Sequence, residues 1–166
     1  MMKQLKTLLI AATLLFSTSQ VIAQAKIAHV DTNEIMSKMP AMMEAQKQLD
    51  NLQKTYDKEF KTMVDEYQSK LEKYNREAET VTEQLNTERA KEVQDMEKRI
   101  QDYRQTAQKE LNQKEEDLMK PLMDRAKAAI EKVGKAKGYQ YVINSTGLLL
   151  ADGPDLTTDV KKELGF

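Results

Sequence analysis

The sequence contains one long stretch without helix breakers, residues 41–120, which has neither glycine nor proline. Because these two residues disfavour the interior of a helix more than any others, the stretch is predicted to be helical. Charged residues make up 32% of the chain and aromatic residues only 5%. Such a composition is typical of long solvated helices rather than of a compact globule.

Within this stretch the apolar residues form a narrow stripe at helical spacing. In the first half they recur in steps of three and four, which places them on one face of a helix: Leu49, Leu52, Tyr56, Phe60, Met63, Tyr67, Leu71 and Tyr74. A similar stripe in the second half contains Val93, Met96, Ile100, Tyr103, Leu111 and Leu118. Two helices with matching stripes can pair as an antiparallel coiled coil, so these residues are predicted to form its seam.

The two stripes are predicted to belong to a helical hairpin rather than to one continuous helix. A single helix would hold its ends roughly 135 Å apart, whereas a hairpin lets the two ends of the chain share a sheet. The stripe breaks in the polar sequence EQLNTERAK, where Asn86 and Thr87 compete for backbone hydrogen bonds. The turn is therefore placed near residues 86–90, and the arm (residues 40–121) consists of two helices of roughly 65–70 Å each.

Pro121 lies inside the returning helix, where a proline removes one backbone hydrogen bond and bends the helix. The bend is either static or a hinge at the base of the arm, and the sequence leaves both interpretations open. Methionine is frequent near this base, where it either fills gaps or adapts to varied partners: Met36, Met39, Met42, Met43, Met119 and Met123.

Short strands are predicted on both sides of the arm. The segment KIAHVD, residues 26–31, alternates in polarity and carries β-branched residues, as strands do. The segment YQYVINSTGLLLADG, residues 139–153, is predicted to form two strands around a turn. The strand residues expected to build the body are Ile27, Val30, Val142, Ile143, Leu148 and Leu150. Thr157 or Thr158 is predicted to cap a short last helix that ends at Gly165.

The fold class that follows is α+β, mostly α, with the long antiparallel coiled-coil arm inserted in a small β-rich body. The body comprises residues 26–39 and 122–166, which can supply only a marginal core. Its strands would also leave open edges. The body is therefore expected to complete itself by joining other copies, and both a dimer and a trimer are physically reasonable.

Residues 1–25 have the features of a cleavable export signal. A basic start, MMKQLK, precedes the apolar run of residues 8–16, and small residues allow cleavage after Ala23 or Ala25. The apolar run is shorter than the roughly 20 residues that a bilayer requires. An uncleaved membrane anchor is the alternative, but export to a bacterial periplasm is the prediction for this cysteine-free chain.

The charge and residue types exclude several classes of function. Removing residues 1–25 changes the formal net charge from −1 to −3, which gives no reason to expect binding to nucleic acid or to an anionic membrane. The chain has no cysteine and a single histidine, His29, in a predicted strand. It also lacks the common catalytic and nucleotide-binding motifs. No catalytic residue, cofactor or metal site is therefore expected, and the chain is not expected to be an enzyme.

The segment KIAHVDTNEIMSKMP, the breaker-free middle and the closing block GYQYVINSTGLLLADGPDLTTDVKKELG together resemble the Skp/OmpH family of periplasmic chaperones. The resemblance covers essentially the whole chain after residue 25. It implies a homotrimer whose strands form a β-barrel-like body and whose three helical arms surround a cavity. It also implies that unfolded outer-membrane proteins are held there without ATP, to prevent their aggregation.

One departure from the family concerns charge. The best-known member is strongly basic, whereas the chain after residue 25 carries a net charge of −3. Contact with membranes or lipopolysaccharide is therefore expected to be weak at most. The alternative function is an envelope coiled-coil scaffold that binds one folded partner. Neither the patterns nor the resemblance assigns residues to client contact.

Overall fold

The computed structural model describes residues 25–166, so the predicted export signal lies outside the described residues except for Ala25. The elements in chain order are β1 (Ile27–Val30), α1 (Thr32–Lys38), α2 (Pro40–Glu77), α3 (Glu83–Ala136), β2 (Tyr141–Asn144), a 3-10 turn (Ser145–Gly147) and α4 (Thr157–Leu164). The described chain is mostly helical with a small two-stranded sheet, as predicted. Pro40 begins α2, where its missing N–H leaves no hydrogen bond unmade.

The turn between the two long helices lies at residues 78–82, and its predicted position near 86–90 is wrong. Thr82 caps α3, because its hydroxyl accepts a hydrogen bond from the backbone N–H of Leu85 at 3.3 Å. Asn86 is helical, and its side-chain amide donates to the carbonyl of Ala78 at 2.8 Å. A polar side chain that was expected to interrupt the helix therefore ties the start of α3 to the turn.

The strands come from the two ends of the described chain and pair in parallel, with Ile27 beside Tyr141 and Val30 beside Asn144. On the other side of β1, the N–H of His29 donates to the carbonyl of Pro154 at 2.9 Å. The N–H of Leu156 in turn donates to the carbonyl of His29, also at 2.9 Å. Both edges of β1 are thus occupied, which makes it the central strand.

The second strand predicted around Leu148 and Leu150 is wrong, because residues 148–153 form neither helix nor strand. The Ser145–Gly147 turn follows β2 directly, and its end is closed by a hydrogen bond from the N–H of Leu148. The chain then crosses to the far side of β1 and pairs there only from residue 154 onwards. Within residues 25–166 these leucines therefore pair with no strand.

The core of the body lies between the sheet and three helices. Ile35 of α1 and Val160 of α4 are fully buried, with 0% exposure. The core cluster consists of Ala28, Val30, Ile35, Met39, Ala129, Val133, Leu156, Val160 and Leu164. The core therefore combines the two ends of the described chain with the last part of α3.

Aspartates organise the starts of both short helices, in place of the threonines predicted to cap the last one. The carboxylate of Asp31 accepts the N–H of Glu34 at 2.8 Å and caps α1. Thr157 is the first residue of α4, and its N–H donates to the carboxylate of Asp155 at 2.8 Å. Gly165 ends α4 as predicted, with a φ of 94° that favours glycine.

Glu34 is expected to make the stability of the body sensitive to acid. Its carboxylate accepts hydrogen bonds from Lys161 of α4 at 2.7 Å and from Lys38 at 2.9 Å, and these partners lower its pKa from 4.5 to about 2. A carboxyl whose pKa is lower in the folded state stabilises the fold above its unfolded pKa. This stabilisation should be lost as the pH falls from 4.5 towards 2.

The measurement is the thermal midpoint of Glu34→Gln and of the unmodified protein between pH 6 and pH 2. The thermal midpoint of Glu34→Gln should be lower at pH 6 and should fall less steeply as the pH decreases, because the variant has no carboxylate to protonate at this position. Lys161→Gln, which removes the first of the two partners, should behave in the same way. Parallel curves for the unmodified protein and Glu34→Gln would contradict the prediction.

Candidate functional site

The predicted seam residues lie where α2 and α3 face each other. All of them are buried or half-buried, and Met96 is the most enclosed at 8% exposure. Ala107 of α3 is equally buried, and Ala45 at the start of α2 is buried more deeply. This burial is what a seam between the two helices would produce, and it limits the apolar surface that is available to a binding partner.

Tyrosines of the seam form hydrogen bonds across the two helices. The hydroxyl of Tyr56 in α2 donates to Glu110 in α3, and the hydroxyl of Tyr103 in α3 donates to Glu59 in α2 at 2.7 Å. The rings of Tyr56 and Tyr103 meet edge to face, with centroids 6.2 Å apart. Residues later in α2 pair with residues earlier in α3, as antiparallel packing requires.

A cluster of polar side chains fixes the outer end of the arm. Lys70 and the hydroxyl of Tyr74 both donate to Glu92 across the helices. The guanidinium of Arg89 lies 4.5 Å from the centre of the Tyr74 ring and forms a 2.6 Å salt bridge with Glu77. These contacts hold α2 and α3 in one register next to the turn.

The carboxylates that accept hydrogen bonds from the seam tyrosines were not predicted from the sequence. Those partners are Glu59, Glu92 and Glu110, and all three lie beside the apolar stripe. A tyrosine in a narrow seam needs a hydrogen-bond partner for its hydroxyl. This requirement could have indicated, from the sequence, that nearby glutamates are the partners. Tyr56, Tyr74 and Tyr103 point their hydroxyls at the opposite helix, so polar contacts as well as apolar ones hold the two helices together.

Tyr103→Phe is expected to lower the free energy of unfolding by about 0.5–1.5 kcal/mol, the usual net contribution of one hydrogen bond. Burial between the helices and the bond to Glu59 raise the pKa of Tyr103 from 10.0 to about 12. The stabilisation should therefore be complete below pH 10 and be lost as the pH rises towards 12. Urea unfolding at pH 8 and at pH 11 measures both effects.

The matched control for this substitution is Tyr67→Phe, because Tyr67 lies in the same stripe but the hydrogen bonds across the helices come from Tyr56, Tyr74 and Tyr103. This variant should unfold at the same urea concentration as the unmodified protein. A difference between Tyr103→Phe and the unmodified protein that is as large at pH 11 as at pH 8 would refute the assigned role of the Tyr103 hydroxyl.

Pro121 lies within α3, which continues on both sides of it from Glu83 to Ala136. Its position is close to the point where α3 leaves the seam and enters the core of the body, since Leu118 belongs to the predicted seam and Ala126 is buried. A bend at this point would change the angle between arm and body. A hinge at Pro121 therefore stays a prediction. The residue lies at the junction of arm and body, where a hinge would act.

The outer face of the two-stranded sheet has exposed apolar side chains next to the half-buried His29. Ala28 and Val30 of β1 point into the core, so the alternate residues of both strands point away from it. On this outer face Ile27, Tyr141 and Ile143 are all exposed. Val142, between the last two, packs against the core instead. The predicted strand residues thus divide into an inner set and an exposed outer set.

An apolar groove of about 620 Å³ lies between α1, α3 and β2. We call it the base groove, and its apolar lining includes Met36, Met123, Ile130, Tyr139 and Val142. Lys127 and Lys135 also line it. Gly134 of α3 forms part of its floor, where a Cβ atom would lie only 2.8 Å from the Val142 side chain. The absence of a side chain there lets β2 lie against α3.

Residues 25–166 contain no cluster of histidines, cysteines and carboxylates that could hold a metal ion. His29 has a structural position, because its Nε2 forms a hydrogen bond with the carbonyl of Gly153 at 3.0 Å and its ring lies beside Asp155. Among the helices of the described part of the chain, none is both long and apolar enough to cross a membrane.

A sequence model of the OmpH-like outer membrane protein family matches residues 26–164. The chain belongs to this family. The match covers both parts of the body and the whole arm, and it confirms the resemblance found in the sequence. No curated protein matches the chain.

Solved structures related to this OmpH-like chain include that of a candidate outer membrane chaperone (OmpH-like) from Caulobacter crescentus CB15. The two share 15% sequence identity and superpose with a TM-score of 0.76. The similarity covers 90% of this chain and 89% of the other. At this level of identity the comparison establishes a shared fold over nearly the full length.

Proposed function

We propose that the protein is an ATP-independent holdase chaperone of the periplasm. It would bind unfolded outer-membrane proteins in a cavity between helical arms and prevent their aggregation. Membership of the OmpH-like family supports a chaperone role, as does the fold shared with a candidate outer membrane chaperone. The export signal predicted at residues 1–25 supports the periplasmic location.

The observation that carries the proposal is the uncovered apolar face of the body, formed by Ile27, Tyr141 and Ile143. A contiguous exposed apolar surface of this kind marks an interaction site. An isolated pair of strands is also only marginally stable in water. Three copies that bury these faces together would form a β-barrel-like body, from which three arms would surround a shared cavity.

The arms would act as walls of the cavity. Their own apolar stripe is covered between α2 and α3, so each arm can stay extended in water without collapsing onto its neighbours. A client would then contact the remaining surfaces of the arms, which alternate charged and amphipathic side chains. Since the net charge after residue 25 is only −3, capture would depend little on overall charge.

The experiment that tests this function has two parts. Light scattering of the protein without residues 1–25 should give the mass of three chains, and one unfolded β-barrel protein should add to that mass. In a second assay the same trimer, mixed with the diluted client in equal amounts and without nucleotide, should suppress its aggregation. A trimer of the correct mass that leaves the aggregation unchanged would overturn the holdase proposal.

A second candidate function is an envelope scaffold that binds one folded partner. The observation in its favour is the polar surface of the arm, because the side chains most suited to holding apolar segments are covered within the seam. A scaffold would recover a single folded protein from envelope extracts and would ignore the unfolded client. The two functions therefore predict opposite results in the same binding assay.

A further inference from the structure

One side of α3, on the half of the arm nearer the body, carries two hollows that run into each other. The first has a volume of about 690 Å³ and is walled by α3 alone. The second, of about 370 Å³, shares Asn112 and Glu116 with the first. We call this side of α3 the amide face. Its central row recurs in steps of three and four, which keeps the residues on one side of the helix: Gln105, Gln108, Asn112, Glu116, Met119 and Met123.

Amides and methionines distinguish this face from the outer end of the arm. There, the hollow near the turn is walled by charged side chains and a single methionine. On the amide face, Nε2 of Gln108 donates to Oδ1 of Asn112 at 2.9 Å, which leaves the oxygen of Gln108 and the amide group of Asn112 for a further partner. Exposed amides offer donors and acceptors, as the backbone of an extended chain requires. Methionine adds apolar contacts that adapt to partners of different shape.

The first hollow also carries two cations without an anionic partner of their own. Arg104 and Lys109 line it, are exposed, and take part in none of the salt bridges within residues 25–166. Glu116 is the one acidic residue in its lining. The hollow is therefore locally cationic, although the chain after residue 25 has a net charge of −3. A carboxylate of a binding partner would be attracted to this position.

The length of the amide face matches one strand of an outer-membrane barrel. From Arg104 to Met123 the helix rises roughly 28 Å, at about 1.5 Å per residue. An extended chain covers that distance with about eight or nine residues. Transmembrane strands of β-barrels have about 9–11 residues and alternate apolar with polar side chains. Such a strand, while unfolded, offers backbone groups to the amides and apolar side chains to the methionines.

We propose that the amide face of α3 is the client-contact surface of the arm and that each face holds one unfolded transmembrane strand. A carboxylate on the polar side of that strand would lie opposite Arg104 and Lys109. The inference rests on the proposed function, the holding of unfolded outer-membrane proteins. It assigns the contact to α3 rather than to α2, and it makes capture depend on local charge instead of net charge.

Disulfide cross-linking tests the position of the client, because the natural chain has no cysteine to interfere. The test variant is Gln108→Cys, and the client is an unfolded β-barrel protein with one cysteine in a transmembrane strand. A disulfide forms only when the two Cα atoms approach within about 7 Å. After mild oxidation, most of the bound client should be covalently attached to the Gln108→Cys variant.

The matched control is Gln53→Cys in α2. Gln53 and Gln108 are both exposed glutamines, and they lie at a similar level of the arm because Tyr56 contacts Glu110 across the two helices. Little of the client should be attached to the Gln53→Cys variant under the same conditions. Equal attachment at the two positions, or more at Gln53→Cys, would overturn the inference.

A second experiment tests the role of charge with fluorescent peptides of about ten residues that alternate apolar and polar residues. One peptide carries glutamates at its polar positions and the other carries lysines. The double variant Arg104→Glu with Lys109→Glu should bind the glutamate peptide about tenfold more weakly than the unmodified protein, and it should bind the lysine peptide more tightly. Fluorescence anisotropy at low salt measures both affinities.

The control for charge reverses two lysines of α2, as Lys54→Glu with Lys58→Glu. Both are exposed and line a separate hollow, so this variant has the same net charge as the test variant but an intact amide face. It should bind the glutamate peptide within about twofold of the unmodified protein. An equal loss in the two variants would mean that overall charge attracts the peptide, and it would overturn the inference.

The outcomes distinguish this inference from the proposed function. A trimer that suppresses aggregation but attaches the client equally at both glutamine positions would refute the amide face and leave the holdase intact. A trimer that neither suppresses aggregation nor attaches the client would refute both. Attachment of a folded envelope protein to Gln108→Cys, in place of the unfolded client, would overturn the inference and favour the scaffold.

Discussion

Replacing Ile35 with alanine is expected to lower the free energy of unfolding by about 2–5 kcal/mol, the range observed when a buried isoleucine is truncated in a core. Ile35 is fully buried, and it belongs to a small cluster with Val30 and Val160. Few residues are available to close around the resulting cavity. Since domains are typically stable by only about 5–15 kcal/mol, this single change should remove a large part of the total.

Chemical unfolding monitored by circular dichroism measures the effect, at equal chain concentrations because association adds stability by mass action. The matched control is Leu85→Ala, which removes the same number of carbon atoms from a side chain that is 37% exposed in the first turn of α3. The control should lower the stability less than Ile35→Ala does, because the Leu85 side chain is only partly buried. Equal losses in the two variants would show that α1 does not anchor the core.

Gly134→Ala is expected to destabilise the protein, although alanine is favoured over glycine in a helix by about 1 kcal/mol. The added Cβ would lie 2.8 Å from Cγ2 of Val142, and a β-branched side chain in a strand has little freedom to move away. Overpacking of this kind costs about 1–3 kcal/mol. Gly134→Leu, which adds further atoms, should cost more and loosen β2 from α3.

A double-mutant cycle isolates the close contact. Val142→Ala removes the methyl group that the new Cβ would meet, so Gly134→Ala should cost less in the Val142→Ala background than in the unmodified protein. The coupling should be about 0.5–3 kcal/mol. Gly147→Ala is the control, since a Cβ there has no neighbour within 4 Å and its effect should be small. Strictly additive losses in the cycle would refute the proposed clash.

The sequence predicted the helical part of the fold well because helix formation is decided locally. Continuous helical spacing and the absence of breakers are visible in residues 41–120 without knowledge of any partner. The position of the turn was predicted wrongly for a related reason. Asn86 was judged by its own preference, whereas its role is set by a hydrogen bond to Ala78 across the turn. Such a contact exists only once the chain has already reversed direction.

The body was predicted less well because its elements depend on distant partners. Leu148 and Leu150 have the composition of a strand, but within the described residues they pair with no strand. In the same way, the glutamates that pair with the seam tyrosines are ordinary surface residues until the two helices are aligned.

The parallel pairing of β1 with β2 sets the order in which this protein can fold. The hydroxyl of Ser145 reaches the carbonyl of Val30 across 115 residues, whereas α2 and α3 meet through the short turn at residues 78–82. Contacts between distant residues form slowly, because the entropy of closing a long loop opposes them. The paired helices should therefore form first and carry the two halves of the body to each other. A chain still emerging into its compartment would have its arm before it had a core, since Val160 and Leu164 arrive last.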